Sequence, residues 1–131
     1  MDIAIDFDGT CTTHDFPNIG KNIGAADVLK RLVENGHNLI LFTMRSDGRE
    51  DGMNYLSEAI SWFKSYGIPL YGIQSHPTQE TWTTSPKCYA QLYIDDAALG
   101  CPLIHKPEFH QRPYVDWKLV ELMLIKQGII K

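Results

Sequence analysis

The chain has 131 residues, 16 acidic against 12 basic, a formal net charge of −4 and three cysteines. One domain spanning residues 1–131 is the default at this length, and roughly two-thirds of the unfolded surface can be buried without disulfide staples or a structural zinc. The odd set Cys11, Cys88 and Cys101 gives no paired framework and no zinc-ligand spacing, so reduced thiols and a cytoplasmic setting are expected. No apolar run approaches the roughly 18 residues of a membrane span, and no basic stretch leads into an apolar one as in a signal peptide. The mild acidity disfavours a broad nucleic-acid-binding surface without excluding one, and leaves room for a single phosphorylated ligand.

In chain order, Ile3, Ala4, Ile5 and Phe7 form a β-type run that ends in Asp6-Phe7-Asp8-Gly9. Residues 8–23 read as an irregular excursion. Ala26, Leu29, Leu32 and Val33 recur at helical spacing, with Gly36 as the stop. Leu39-Ile40-Leu41-Phe42 reads as a strand buried on both faces. A second helix is expected from about Asp47, with Asp47, Glu50 and Asp51 in its first turn and Leu56, Ala59, Ile60 and Phe63 on one stripe. Ile68–Ile73, broken by Pro69, is a candidate third strand and Gln91–Ile94 a fourth, ending at Asp95-Asp96. A last helix is expected from about Tyr114 to Gln127. His105 and His110 are expected at the surface, Cys11 in the core, and the 71–82 stretch with His76 and Trp82 as a loop that could wall a pocket.

Strands alternating with helices imply βαβ units and a mainly parallel, Rossmann-like sheet. Ligands of such sheets sit beyond the carboxyl ends of the strands. There the chain places Asp6 and Asp8, Thr43 and Arg45, and Asp95 and Asp96. Carboxylates that converge repel one another, and a hard cation such as Mg2+ relieves this. A carboxylate can attack phosphorus, and a second one two residues on can serve as general acid and then base. Gly9 lets the backbone turn closely around a phosphate. Arg45 suits either a phosphate clamp or pairing with Asp47 or Glu50. No P-loop pattern accompanies Lys21.

Ile3 to Thr10, an apolar strand followed by D-x-D-G-T, resembles the first motif of the haloacid dehalogenase superfamily. Leu39 to Thr43 resembles its second motif, Lys87 takes the place of its third, and Leu92 to Asp96 resembles its fourth. The stretches Pro17 to Gly20 and Gly36 to Arg45 are similar to small uncapped bacterial and phage members. The resemblance implies a three-layer α/β/α sandwich without a cap domain and a Mg2+-dependent phosphatase. It implies Asp6 as nucleophile, Asp8 as acid/base, and Thr43 and Lys87 as catalytic partners. Gly9, Thr43, Met44, Arg45 and Lys87 are the candidate phosphate-binding residues. Asp6, Asp95 and Asp96 are implied around the metal, with Asp8 through its backbone carbonyl. Asp8 favours phosphoryl transfer over attack on carbon. Cys11 stands where the family carries Leu. Neither interval that could hold a cap is long enough for one, so the substrate is either a small phosphorylated molecule or an exposed phosphate on a larger one, and a neighbouring subunit could cover the site. Two alternatives stay open. A receiver-type phospho-acceptor shares the residue types, but its acidic pair follows the first strand, the reverse of the order here. A binding protein on the same scaffold would keep the motifs without turnover.

Overall fold

The computed structural model describes residues 1–131. Its main sheet has four parallel strands: β1 (Asp2–Ile5), β2 (Asn38–Leu41), β3 (Gly72–Ile73) and β4 (Leu92–Ile94), in the spatial order β3-β2-β1-β4. The register sets Ile5 beside Leu41 on one side and beside Ile94 on the other. The three strands therefore end level, and the residues that follow them emerge at one edge. The chain steps from β1 outward to β2 and β3, then crosses back to lay β4 on the other side of β1. The boundary between β1 and β4 is thus the topological switch point, where crevices form in sheets of this kind.

Three helices join the sheet: α1 (Ala25–Glu34), α2 (Tyr55–Ser65) and α3 (Trp117–Lys126). Successive strand residues point to opposite faces. Ile3, Ile5, Leu39 and Leu41 share one buried cluster with Leu29 and Leu32 of α1, Trp62 and Phe63 of α2, and Val120 and Leu124 of α3. Ala4 and Ile40 fall in a separate small cluster with Cys88, flanked by Phe42 and Ala90. All three helices thus contribute to the core on one face. The other face is covered by the segment between β3 and β4, whose regular part is a 3-10 turn at Gln79–Thr81. Pro77 and Pro86 interrupt that segment, and proline disfavours a helix there. The cover is irregular where a helical layer is expected.

Several expected boundaries shift for local reasons. The second helix begins at Tyr55, not Asp47, because Gly48 and Gly52 take positive φ and break the turn. Asp47 reaches across that loop to accept from the Ser57 backbone N–H (3.0 Å) and hydroxyl (2.5 Å), satisfying a donor of the first helical turn. The third strand keeps only Gly72–Ile73. The last helix starts at Trp117, where Asp116 caps it by accepting from Leu119 N–H. Tyr114–Val115 pairs instead as β6 with β5 (Leu103–Ile104) in an antiparallel hairpin that the sequence reading missed. Cys11 is buried in the core as expected. No helix is long and apolar enough to cross a membrane.

Candidate active site

Asp6 follows β1 directly, and Asp95 and Asp96 follow β4. Carboxylate oxygens of all three lie within 4.8 Å of one another. The strand register brings them together, since Asp6 N–H still donates to Ile94 O (3.0 Å), continuing the ladder one residue past the strands. Thr10 ties the group from below. Its hydroxyl lies 2.8 Å from Asp6 Oδ2 and 3.2 Å from Asp96 Oδ1, and it accepts from the Asp96 backbone N–H at 3.0 Å. His14 Nε2 meets Asp96 Oδ2 at 2.7 Å. Gly9, at φ 83, makes room for this: a Cβ there would sit 1.9 Å from the His14 ring. The glycine thus serves a tight turn and a close side-chain approach together.

The electrostatics follow from the crowding. Asp6 is pushed from its ordinary 3.8 up to about 8, first by burial, then by its hydrogen bond to Asp96 and the charge of Asp95. Asp96 moves the other way; burial raises it, but hydrogen bonds to Asp6 and His14 and the His14 charge outweigh that. Three clustered carboxylates with one of them held protonated form a donor set short of positive charge. Oxygen donors of this kind, partly exposed and leaving positions for water and phosphate, fit Mg2+. The neighbouring thiol is not part of the set, because Cys11 Sγ donates to the Asp6 carbonyl oxygen at 3.3 Å.

Asp8 lies outside that cluster. Both its oxygens are held by Arg45, Oδ2 by Nε and Oδ1 by Nη2, each at 2.8 Å. Arg45 is 2% exposed. It pairs with neither Asp47 nor Glu50, the partners considered from sequence. Its guanidinium, committed to protein acceptors, has no N–H left to clamp a substrate phosphate. Thr43 closes the end of β2. Gln74 side-chain atoms pair with the Thr43 N–H (2.9 Å) and carbonyl (2.7 Å) and with the Arg45 carbonyl (3.0 Å). Gln74 therefore supplies with its amide what a longer third strand would supply with its backbone. Met44 is 97% exposed at this edge. Lys87 is exposed, with Nζ 5.7 Å from the Tyr93 ring centroid and no carboxylate in ion-pair range, so it is not brought to Asp6 as the resemblance implies.

Some expectations fail away from the site. His110 is buried, with Nε2 3.3 Å from Asp15 Oδ1, rather than at the surface. His76 is buried and meets Asp2 Oδ2 at 2.9 Å, at the amino end of β1. That anchors the His76 part of the 71–82 stretch at the far end of the sheet from Asp6, while Gln74 of the same stretch sits at the carboxyl end beside Thr43. Thr10, His14 and Gln74 are the site residues the sequence reading passed over. Thr10 stood in plain view within D-x-D-G-T, whereas His14 and Gln74 act through folds of the chain that no spacing announces.

No protein-family model and no curated protein matches the sequence. Among solved structures, a conserved protein from Bacteroides thetaiotaomicron is similar over nearly the whole length. The two are 32% identical, with a TM-score of 0.74 and coverage of 97% of this chain and 91% of that one.

Proposed function

This chain belongs to the same family as that conserved Bacteroides thetaiotaomicron protein, and we propose that it is a Mg2+-dependent phosphatase that hydrolyses a phosphomonoester through an aspartyl phosphate on Asp6. The observation that carries this reading is the convergence of Asp6, Asp95 and Asp96 at the switch point of the sheet. The resemblance to the haloacid dehalogenase superfamily supplies the roles. In the three-layer arrangement it implies, the irregular 74–91 segment stands as the third layer.

Asp6, Asp95 and Asp96 would hold the metal, with the Asp8 backbone carbonyl as a further ligand. Mg2+ there supplies positive charge that lets a carboxylate approach an anionic phosphate. Asp6, in its deprotonated form, attacks phosphorus in line, and the bond from phosphorus to the leaving oxygen breaks. Asp8, protonated on a lone pair that the two Arg45 hydrogen bonds leave free, gives its proton to that oxygen. Asp8 then takes a proton from water, and the resulting hydroxide attacks the phosphorus of the aspartyl phosphate, releasing inorganic phosphate and restoring Asp6. The Thr43 hydroxyl and the Met44 N–H are the groups available to the phosphoryl oxygens, since the Gly9 N–H and carbonyl are taken up by Thr12 O and Val115 N–H; a role for Lys87 there rests on the resemblance alone.

The test is turnover of an aryl phosphate with and without Mg2+. Activity should vanish with EDTA, return with Mg2+, and be absent in Asp6→Asn at unchanged circular dichroism. Undiminished turnover by a clean Asp6→Asn preparation would refute the mechanism. A stable phospho-adduct from acetyl phosphate, with no hydrolysis of phosphomonoesters, would indicate a phospho-acceptor domain instead.

A further inference from the structure

Arg45 is buried more completely than any other charged side chain near the carboxylates, and every donor it owns is used. A guanidinium carries five N–H groups in a rigid fork. Nε and one Nη2 donor hold the two oxygens of Asp8 at 2.8 Å. Nη2 also reaches Asn18 O at 2.8 Å, and Nη1 lies 3.3 Å from Tyr55 O and 3.5 Å from Pro17 O. Five acceptors meet five donors. The Phe7 and Phe16 ring centroids each lie 5.1 Å from the guanidinium carbon. Phe16, itself 56% exposed, packs edge-on against Tyr55. Arg45 therefore joins three pieces: the turn after β1 that carries Asp8, the strap at residues 16–18, and the entry to α2.

We propose that Arg45 is the positioning residue of the acid/base: its bidentate grip fixes Asp8 relative to the leaving oxygen, with the 16–18 strap locked to the same guanidinium. This rests on the phosphomonoesterase reading above, and replaces the phosphate-clamp role considered from sequence. Lysine cannot substitute, because a point-charge ammonium reproduces neither the fork nor the flat face between two rings.

Proton donation matters in proportion to the basicity of the leaving oxygen. A nitrophenolate departs without help, whereas a phenolate needs the proton. The experiment therefore measures kcat/KM for a series of aryl phosphates from nitrophenyl to phenyl, with the wild-type protein and Arg45→Lys. The expected loss grows along the series, from a few-fold on nitrophenyl phosphate to on the order of 100-fold on phenyl phosphate. Asp8→Asn should show the same steepened dependence, and the double variant should be no worse than Asp8→Asn alone. Phe16→Leu, which alters only an exposed ring of the strap, should steepen the series in the same direction by a smaller amount, and it carries the test if Arg45→Lys fails to fold. An equal loss on every substrate, or a rise in KM alone, would overturn the proposal. Absence of any turnover by the wild-type protein would overturn the phosphomonoesterase reading, and this proposal with it.

Discussion

Two groups of carboxylates sit side by side at the carboxyl edge of this sheet, and their charges are handled in opposite ways. Asp8 is matched oxygen for donor by a buried guanidinium. Asp6, Asp95 and Asp96 are drawn together with one shared hydroxyl, one imidazole and one backbone N–H, and the deficit shows as a proton retained on Asp6 up to about pH 8. The protein had the means to neutralise a carboxylate internally, and used it two residues away. A charge left unmatched beside one that is matched is where the proposed Mg2+ would bring positive charge.

The largest effect expected on this contrast comes from removing the nucleophile. Asp6→Asn should lower phosphomonoester turnover by about 1,000-fold or more, in the manner of other covalent catalysts, as read by steady-state kinetics. Next comes loss of metal. Asp95→Asn or Asp96→Asn should weaken Mg2+ binding severely, while His14→Gln and Thr10→Val, which only orient ligands, should weaken it by about 10-fold, the lower end for outer-shell partners. Isothermal titration with Mg2+ alone checks this, and unchanged binding in all four variants would break the contrast.

Stability against pH gives a third handle. The folded protein keeps the Asp6 proton up to about pH 8, whereas the unfolded chain loses it near 3.8. Between these values the unfolded state binds fewer protons, so raising the pH favours unfolding and the metal-free fold weakens until about pH 8. Asp2, Asp15 and Asp96, held below their ordinary value by hydrogen bonds, act in the opposite sense and lose their contribution as the pH falls below the usual carboxylate range. The rise in Tm on adding Mg2+ should therefore be larger at pH 8 than at pH 5; a rise independent of pH would contradict the assignment of the proton to Asp6. Smaller still, Gly9→Ala should cost about 1–3 kcal/mol in chemical unfolding, because a Cβ at positive φ is strained and would collide with the His14 ring. Smallest of all, Asp47→Ala should lower Tm by a few degrees through loss of its contacts to Ser57.

The parts of this picture readable from sequence are those in which short-range chemistry and long-range register agree. β1, β2 and β4 announced themselves as apolar runs ending in acids or threonine, and once three such strands lie parallel their ends must meet. That was enough to bring Asp6, Asp95 and Asp96 together. What escaped was set by contacts distant in the chain. Arg45 had nearby acids at Asp47 and Glu50 as obvious partners, yet the turn after β1 brings Asp8 to it instead. His14 meets Asp96 only because Gly9 has no side chain. The layer over Ala4 and Ile40 is irregular because prolines and threonines fill the β3–β4 connection. The helical start at Asp47 was misplaced because its carboxylate caps α2 from outside rather than from within.

The most direct measurement is mass spectrometry of the protein quenched in acid during steady-state turnover of an aryl phosphate with Mg2+. The expected result is a phosphoryl increment on the peptide that carries Asp6, absent in Asp6→Asn and absent from wild-type protein treated with EDTA. Turnover that proceeds with no such increment in rapidly quenched samples, or an increment at another residue, would contradict the account.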